Sequence, residues 1–439
     1  MKGKHWRIIG FVVMALLWST IMIWTQLWYF LLFNLVIFDI FISRKVDWTL
    51  RKYNLPRFLQ SGIEWTFLLL LAIISSFAIK ILFLEAYKIP TPSMEETLLA
   101  GDYIFVSKLA YGPRLPNTPL SIPFYHNKLP SGQKSYSERL KMPYKRLWGF
   151  SKVKRNDIIV FNFPEGDTMV LQYPGQNYYS LVRQYGRDYM LSEFDIITHP
   201  VDKRENYIKR CIGLPGDEIE LVDGEIRVNG KIGNERPGKK YKYYVSTNGD
   251  PLSDLLMDSL KILKNELTYN PVNSLHVLYL TVEKAEILRS FPGVRTIQRY
   301  SEPMLSFQNQ EIFPHNNEYR WTGDNFGPIL VPKKGDSIYI DMIKMPLYHR
   351  IIDDYEENDL ELTDGDLYIN GSLAEYYTFK MDYYFVMGDN HHNSADSRYW
   401  GFVPEDHLLG KAVVVWFSIE PDKVLLEGLR KERIFNTIN

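Results

Sequence analysis

The sequence predicts a mainly β protein: twisted, barrel-like antiparallel sheets with an inserted second subdomain, preceded by N-terminal transmembrane α-helices. Three observations predict it. Residues 1–84 hold two long, nearly uncharged apolar stretches. From Glu85 onward, Pro and Gly punctuate short apolar-aromatic runs, the pattern of strands joined by tight turns. Aromatic residues make up 15% of the 439-residue chain, with 30 Tyr among them, and such side chains pack well on a pleated, half-buried surface. Charge is balanced, 51 Lys and Arg against 52 Asp and Glu. That excludes the basic surface of a nucleic-acid binder. The one cysteine, Cys211, cannot form an internal disulfide and reads as a small buried apolar residue.

The first apolar stretch, Ile8 to Phe41, exceeds the ~20 residues that cross a bilayer once. It fits one long tilted helix or a hairpin of two shorter ones, with Trp24, Thr25 and Gln26 as the turn. Lys2, Lys4 and Arg7 precede it, and Arg44, Lys45, Arg51 and Lys52 follow it. Basic flanks on both sides favour the hairpin, with both ends in the cytoplasm. No small-residue cleavage pattern follows, so a cleaved leader is disfavoured. The second stretch, Trp65 to Leu84, has Lys80 as its one charge, near its far end. A basic patch ending at Arg57 precedes it, so the chain beyond Leu84 is expected on the outer side.

The strand-like runs include DYIFVSKLAYG, DIIVFNFP, YIKRCIGLPGDEIELVDGEIRVNG, DYYFVMGDN and KAVVVWFSI. Asp223-Gly224 and Asn229-Gly230 are turn signals bracketing a short strand. DGEIRVNGKI (223–232) resembles DGDLYINGSL (364–373), as two similar hairpins would. Between about Lys239 and Arg320 the chain is more polar, with candidate helices at Leu252–Lys264 and Val282–Leu288. The expected division is a membrane anchor at 1–84 (hairpin about 8–43, cytoplasmic basic loop 44–60, transmembrane helix about 63–84). A β domain follows at 85–232 and 381–425, with an inserted subdomain at 233–380 and a C-terminal tail at 426–439.

Three segments stand out chemically. In IPTPSMEETLLAGDYIFVSKLAYG (89–112), Ser93 sits between Pro92 and Met94 just beyond the membrane stretch. A bare serine is a poor nucleophile and needs a base. In YIKRCIGLPGDEIELVDG (207–224), Lys209 lies in an apolar strand. Buried, it would have a depressed pKa and could serve as a general base; on an edge strand it would simply face solvent. Alternation does not choose between the two. The third, MGDNHHNSADSRYWGFVPEDHLLGKA (387–412), is a tight polar loop in which Asp396 and Arg398 can pair. His391 and His392 invite a metal reading with Asp389 and Asp396, but adjacent residues in an extended chain point opposite ways, and no zinc spacing is present. No metal or cofactor is expected. Ser151-Lys152-Val153-Lys154 matches S-x-x-K without its companion elements and is set aside.

Together these segments resemble the type I signal peptidase family. The matching runs, in order behind a membrane anchor, are Pro92–Asp102, Arg155–Phe161, Tyr207–Asp217 and Gly388–Val403. The resemblance implies a membrane-bound serine endopeptidase that removes N-terminal signal peptides after a small-x-small site. It makes Ser93 the nucleophile and Lys209 the general base, with Ser394 orienting the lysine amine. The Ser93 N–H and Thr91 hydroxyl become the oxyanion hole, and Ile89 and Ile208 line the substrate pocket. Arg210, Asp389, Asp396 and Arg398 become structural supports. Threonine stands at position 91 where the family commonly has serine, and Pro92 where it often has glycine. The implied partners are signal-peptide-bearing preproteins, the lipid bilayer and the protein-export translocon. The implied place is the bacterial cytoplasmic (inner) membrane, multi-pass, with the catalytic domain on the outer, periplasmic side. A scaffold that holds exported chains uncut and a self-cleaving Ser-Lys protein are the competing readings.

Overall fold

A computed structural model describes residues 2–26, 28–46, 56–122, 125–173, 175–233, 238–262, 267–302, 311–363, 366–421, 423 and 427–438. The first apolar stretch begins as helix α1 (Lys2–Trp24) and reverses at Gln26, whose φ is +61°. It returns through helical turns at Trp28–Phe33, Asn34–Phe38 and Asp39–Ser43. The two arms join through Trp18 Nε1 donating to the Phe30 carbonyl (2.8 Å), Asn34 Nδ2 donating to Ser19 Oγ (2.9 Å) and an edge-on Phe11–Phe38 contact. These contacts satisfy the Trp18 and Asn34 N–H donors inside the pair, while Asn34 Oδ1 is buried without a partner among the described residues. Arg51 and Lys52 lie outside the described residues. Helix α2 (Arg57–Leu82) is about 39 Å long at 1.5 Å per residue and exposed along its length. It and His5–Trp24 are long and apolar enough to cross a bilayer.

With almost no intervening chain, α2 passes into strand β1 (Leu84–Lys88). The main sheet adds β2 (Asp102–Ser107), β3 (Ile158–Asn162), β4 (Asn206–Gly213), β5 (Tyr383–Met387) and β6 (Leu408–Ser418). Their spatial order is β1-β2-β6-β3-β4-β5, antiparallel throughout, and the sheet curls into a half-barrel. Register shifts between β2 and β6, β6 and β3, and β5 and β4 mark the irregularities that let it bend. Apolar side chains on one face, among them Ile89, Met94, Leu98, Ile104, Val106 and Val160, form one core. Ile159, Phe161, Cys211, Val386 and Trp400 form another. β3 is buried at every position, which explains its unbroken apolar reading.

The two turn signals around Glu225–Val228 hold: Asp223-Gly224 and Asn229-Gly230 each place both residues at positive φ. Asn370-Gly371 repeats this geometry, while Asp364-Gly365 lies outside the described residues. The hairpin Glu218–Val228 pairs with Phe326–Leu330. A separate four-stranded sheet, Thr268–Asn270, Leu275–Thr281, Lys240–Thr247 and Val294–Arg299, has its own core around Tyr241, Val245, Leu278 and Leu280. The helix expected at Leu252–Lys264 is shorter, Asp254–Ser259; Ser253 caps its start and Lys261 turns to positive φ just past its end. The other is Val282–Arg289, capped by Thr281. Between β3 and β4 the chain forms a small unit not foreseen in the sequence. Helices Tyr178–Tyr185 and Arg187–Glu193 and the pair Thr168–Val170/Ile196–Thr198 pack around Val170, Tyr178, Leu181 and Met190.

Candidate active site

The segment between β1 and β2 is fixed before any side chain acts. Ile89 N–H donates to the Asp102 carbonyl (2.8 Å), and Gly101 N–H donates to the Ile89 carbonyl (2.9 Å). The chain then makes one tight turn at Pro92–Met94, with proline at its first position, where its missing N–H costs nothing. Ser93 is therefore carried on a rigid turn and is 7% exposed.

β4 brings Lys209 to it. The amine donates to Ser93 Oγ at 2.8 Å and to the Ile208 carbonyl at 3.1 Å. Lys209 is 5% exposed, so the buried alternative holds rather than the solvent-facing one. Burial brings its pKa from 10.5 down to about 8, against the opposing pull of the Asp396 and Asp389 carboxylates. Thr91 Oγ1 lies 3.4 Å from Ser93 Oγ.

The polar loop 388–397 closes over this pair. Asn390 N–H donates to the Ser93 carbonyl (3.1 Å). A Cβ at Gly388 would collide with both the Ser394 hydroxyl and the Ser93 carbonyl oxygen, so only glycine lets loop and turn approach so closely. Ser394 lines the same cavity as Ser93 and Lys209, but its buried Oγ has no hydrogen-bond partner among the described residues. The amine's bonds go to Ser93 and Ile208, and Ser394 stands beside the pair without touching the lysine through a hydrogen bond.

The four charged residues lock the loop. Arg210 grips Asp389 bidentately (Nε–Oδ1 2.7 Å, Nη2–Oδ2 2.6 Å), and Thr97 Oγ1 donates to the same carboxylate (2.6 Å). Arg398 pairs with Asp396 (2.8 and 2.9 Å), and the Asp396 carboxylate accepts from Gly388 N–H (3.1 Å). Burial alone would lower the Arg398 pKa, but Asp396 outweighs it and raises it. Ile208 lines the cavity; Ile89, 2% exposed, is not among the lining residues and lies in the core against which Ile208 packs.

Residues 62–274 and 330–417 match the family described as signal peptidase, peptidase S26. The chain belongs to the signal peptidase family. Among its relatives, a signal peptidase I of Buchnera aphidicola is 28% identical over 374 residues, covering 82% of this chain and 77% of that protein. Those of Haemophilus influenzae and Aquifex aeolicus are 25% and 24% identical, covering 82% of this chain and 72% and 85% of their own.

Sequence reasoning did not find two features of this signal peptidase. The unit between β3 and β4 supplies much of the wall of the roughly 1070 Å³ cavity at Ser93, including Glu165, Asn177 and Arg183. The cap at Asn177, which accepts from two backbone N–H groups, and Gly186 between the helices were the available signals. The second feature is Asp324, 1% exposed, which binds both His391 (2.9 Å) and His392 (3.0 Å). These three form a group able to hold a cation, with Asp324 in the place expected of Asp389 or Asp396. Arg398 Nη1, 3.0 Å from His391 Nε2, already brings positive charge there. Burial and that guanidinium hold His391 well below its ordinary pKa, and the histidine hydrogen bonds overcome burial to lower that of Asp324.

Proposed function

We propose that this chain is a membrane-anchored serine endopeptidase that removes N-terminal signal peptides after a small-x-small site, with Ser93 as nucleophile and Lys209 as general base. The observation that carries the reading is the buried 2.8 Å contact between Lys209 Nζ and Ser93 Oγ. With its pKa down at about 8, the amine is neutral in a useful fraction of molecules near neutral pH. The neutral amine takes the Ser93 proton as Oγ attacks the scissile carbonyl, then returns it to the leaving amine. The Ser93 N–H and Thr91 hydroxyl stabilise the oxyanion. Water deacylates the enzyme by the same route. Ser394, whose Oγ has no hydrogen-bond partner among the described residues, is available to orient the amine once substrate arrives. Ile208 and, from behind, Ile89 limit the pocket to small side chains.

Basic flanks and two bilayer-length helices support a multi-pass protein of the bacterial inner membrane, with the site on the periplasmic side and the translocon as a neighbour. The division into anchor, split catalytic domain (85–232, 381–425) and inserted 233–380 region belongs to the same proposal. Cleavage of a purified preprotein in detergent, read by product mass, tests it. Wild type should cut after a small-x-small site, and Ser93→Ala and Lys209→Met should not. Undiminished cutting by Lys209→Met would place the base elsewhere, and stoichiometric binding without cutting by wild type would favour the scaffold reading.

A further inference from the structure

A second chamber of about 110 Å³ adjoins the active-site cavity. Phe77, Lys80 and Ile81, at the outer end of α2, form one side of it. His126, Lys203 and Asn206 line both spaces, so the two meet there. The chamber therefore lies between the end of a bilayer-length helix and the nucleophile.

Its lining is unbalanced. Lys80, Lys108, Arg114 and Lys203 face it against the carboxylates of Glu85 and Asp202. Glu85 is engaged by Lys108 (2.7 Å) and Lys80 (3.2 Å). Among the described residues neither Arg114 nor Lys203, both 7% exposed, has a carboxylate oxygen within 4.0 Å. Arg114 instead donates to the Asp406 carbonyl and Asn162 Oδ1, and Lys203 donates to Ser121 Oγ. Asp202 acts on both from beyond contact distance, and Asp406 acts on Arg114, so their charge is only partly balanced, and buried cations lacking a direct partner are costly. Asp202 presents the converse: Oδ2 accepts from Thr118, but Oδ1 is buried with no donor among the described residues. A site with spare donors and a spare acceptor matches a peptide backbone, which offers C=O and N–H together. A phosphate offers acceptors only and would meet the Asp202 carboxylate.

Resting on the signal peptidase reading, we propose that the signal-peptide segment upstream of the third residue before the cut threads through this chamber, and that Lys203 with Arg114 selects against basic side chains there. Asp202 accepts a peptide N–H, Lys203 donates to a peptide carbonyl, and the excess positive charge repels an incoming Lys or Arg.

The test scans Lys and Glu through the upstream positions of one preprotein and measures kcat/KM with the full-length enzyme in phosphatidylcholine vesicles. At the most sensitive position the Glu substrate should be cut about tenfold faster than the Lys substrate. Lys203→Glu should invert that order, and Lys203→Gln, which serves if the reversal fails to fold, should bring the ratio near one. The same ratio in wild type and in the Lys203 variants would overturn the inference. So would a ratio that responds to Lys203 only after phosphatidylglycerol is added, which would assign the chamber to lipid phosphate. A wild type that cuts no substrate at all would instead remove the peptidase reading on which the inference stands.

Discussion

Lys209→Met removes the amine but keeps an unbranched chain of similar bulk. In wild type the unfolded lysine titrates near 10.5 and the folded one at about 8. That displacement is worth ~3 kcal/mol, the cost of keeping an ammonium in this site. Because the folded value is the lower, the unfolded chain binds more protons between about pH 8 and 10.5, and wild-type stability rises with pH through that window. Near pH ~7 both states carry the charge, and the folded one bears the full cost. The methionine variant should therefore be inactive yet up to ~3 kcal/mol more stable near neutral pH, a gain that fades toward about pH 10.5. Chemical unfolding of both proteins in one micelle system, repeated across that range, measures it. In parallel, wild-type kcat/KM should rise about tenfold per pH unit below the lysine pKa and level off above it. A variant destabilised equally at every pH, with a flat wild-type rate profile, would refute the reasoning.

If the Thr91 hydroxyl serves the oxyanion as proposed, Thr91→Val should lower kcat by about 10²-fold with little change in KM, because that charge develops only during reaction; steady-state kinetics on one preprotein decides this. Gly388→Ala should cost ~1–3 kcal/mol and most of the activity, since the new methyl meets backbone at Ser93 and not only a movable side chain. Asp389→Ala strands a guanidinium that is 7% exposed at its side chain and should destabilise by ~3–5 kcal/mol in denaturant unfolding.

Much of this fold could be read in the chain wherever one residue type does a local job. Asp-Gly and Asn-Gly pairs mark turns because few other residues tolerate consecutive positive φ, and these pairs adopt it. The helix at Val282–Arg289 announces itself through apolar spacing and a threonine cap. Ser93 and Lys209 are different: 116 positions separate them, and no local rule brings them together. Their pairing was legible only through the resemblance of whole motifs. The unit between β3 and β4 escaped because helices of eight and seven residues are too short for a periodic signal to stand out. Asp324 carried no signal at all, since its partners are 67 and 68 positions away on a loop that folds back to it.

The passage from α2 into β1 has a mechanical consequence. Leu82 ends the helix and Leu84 opens the strand, while Trp24, at the end of α1, packs against Phe83 and donates its indole N–H to the Trp148 carbonyl (3.1 Å). There is no slack at this joint and a second fastening beside it. On the proposed reading, with these helices in the bilayer, Ser93 is held at a set height and the protein would work as a depth gauge. A helix that tilts to suit a thinner membrane must carry β1 and Ser93 with it, so bilayer thickness becomes one of the variables that decide where along an exported chain the cut can fall.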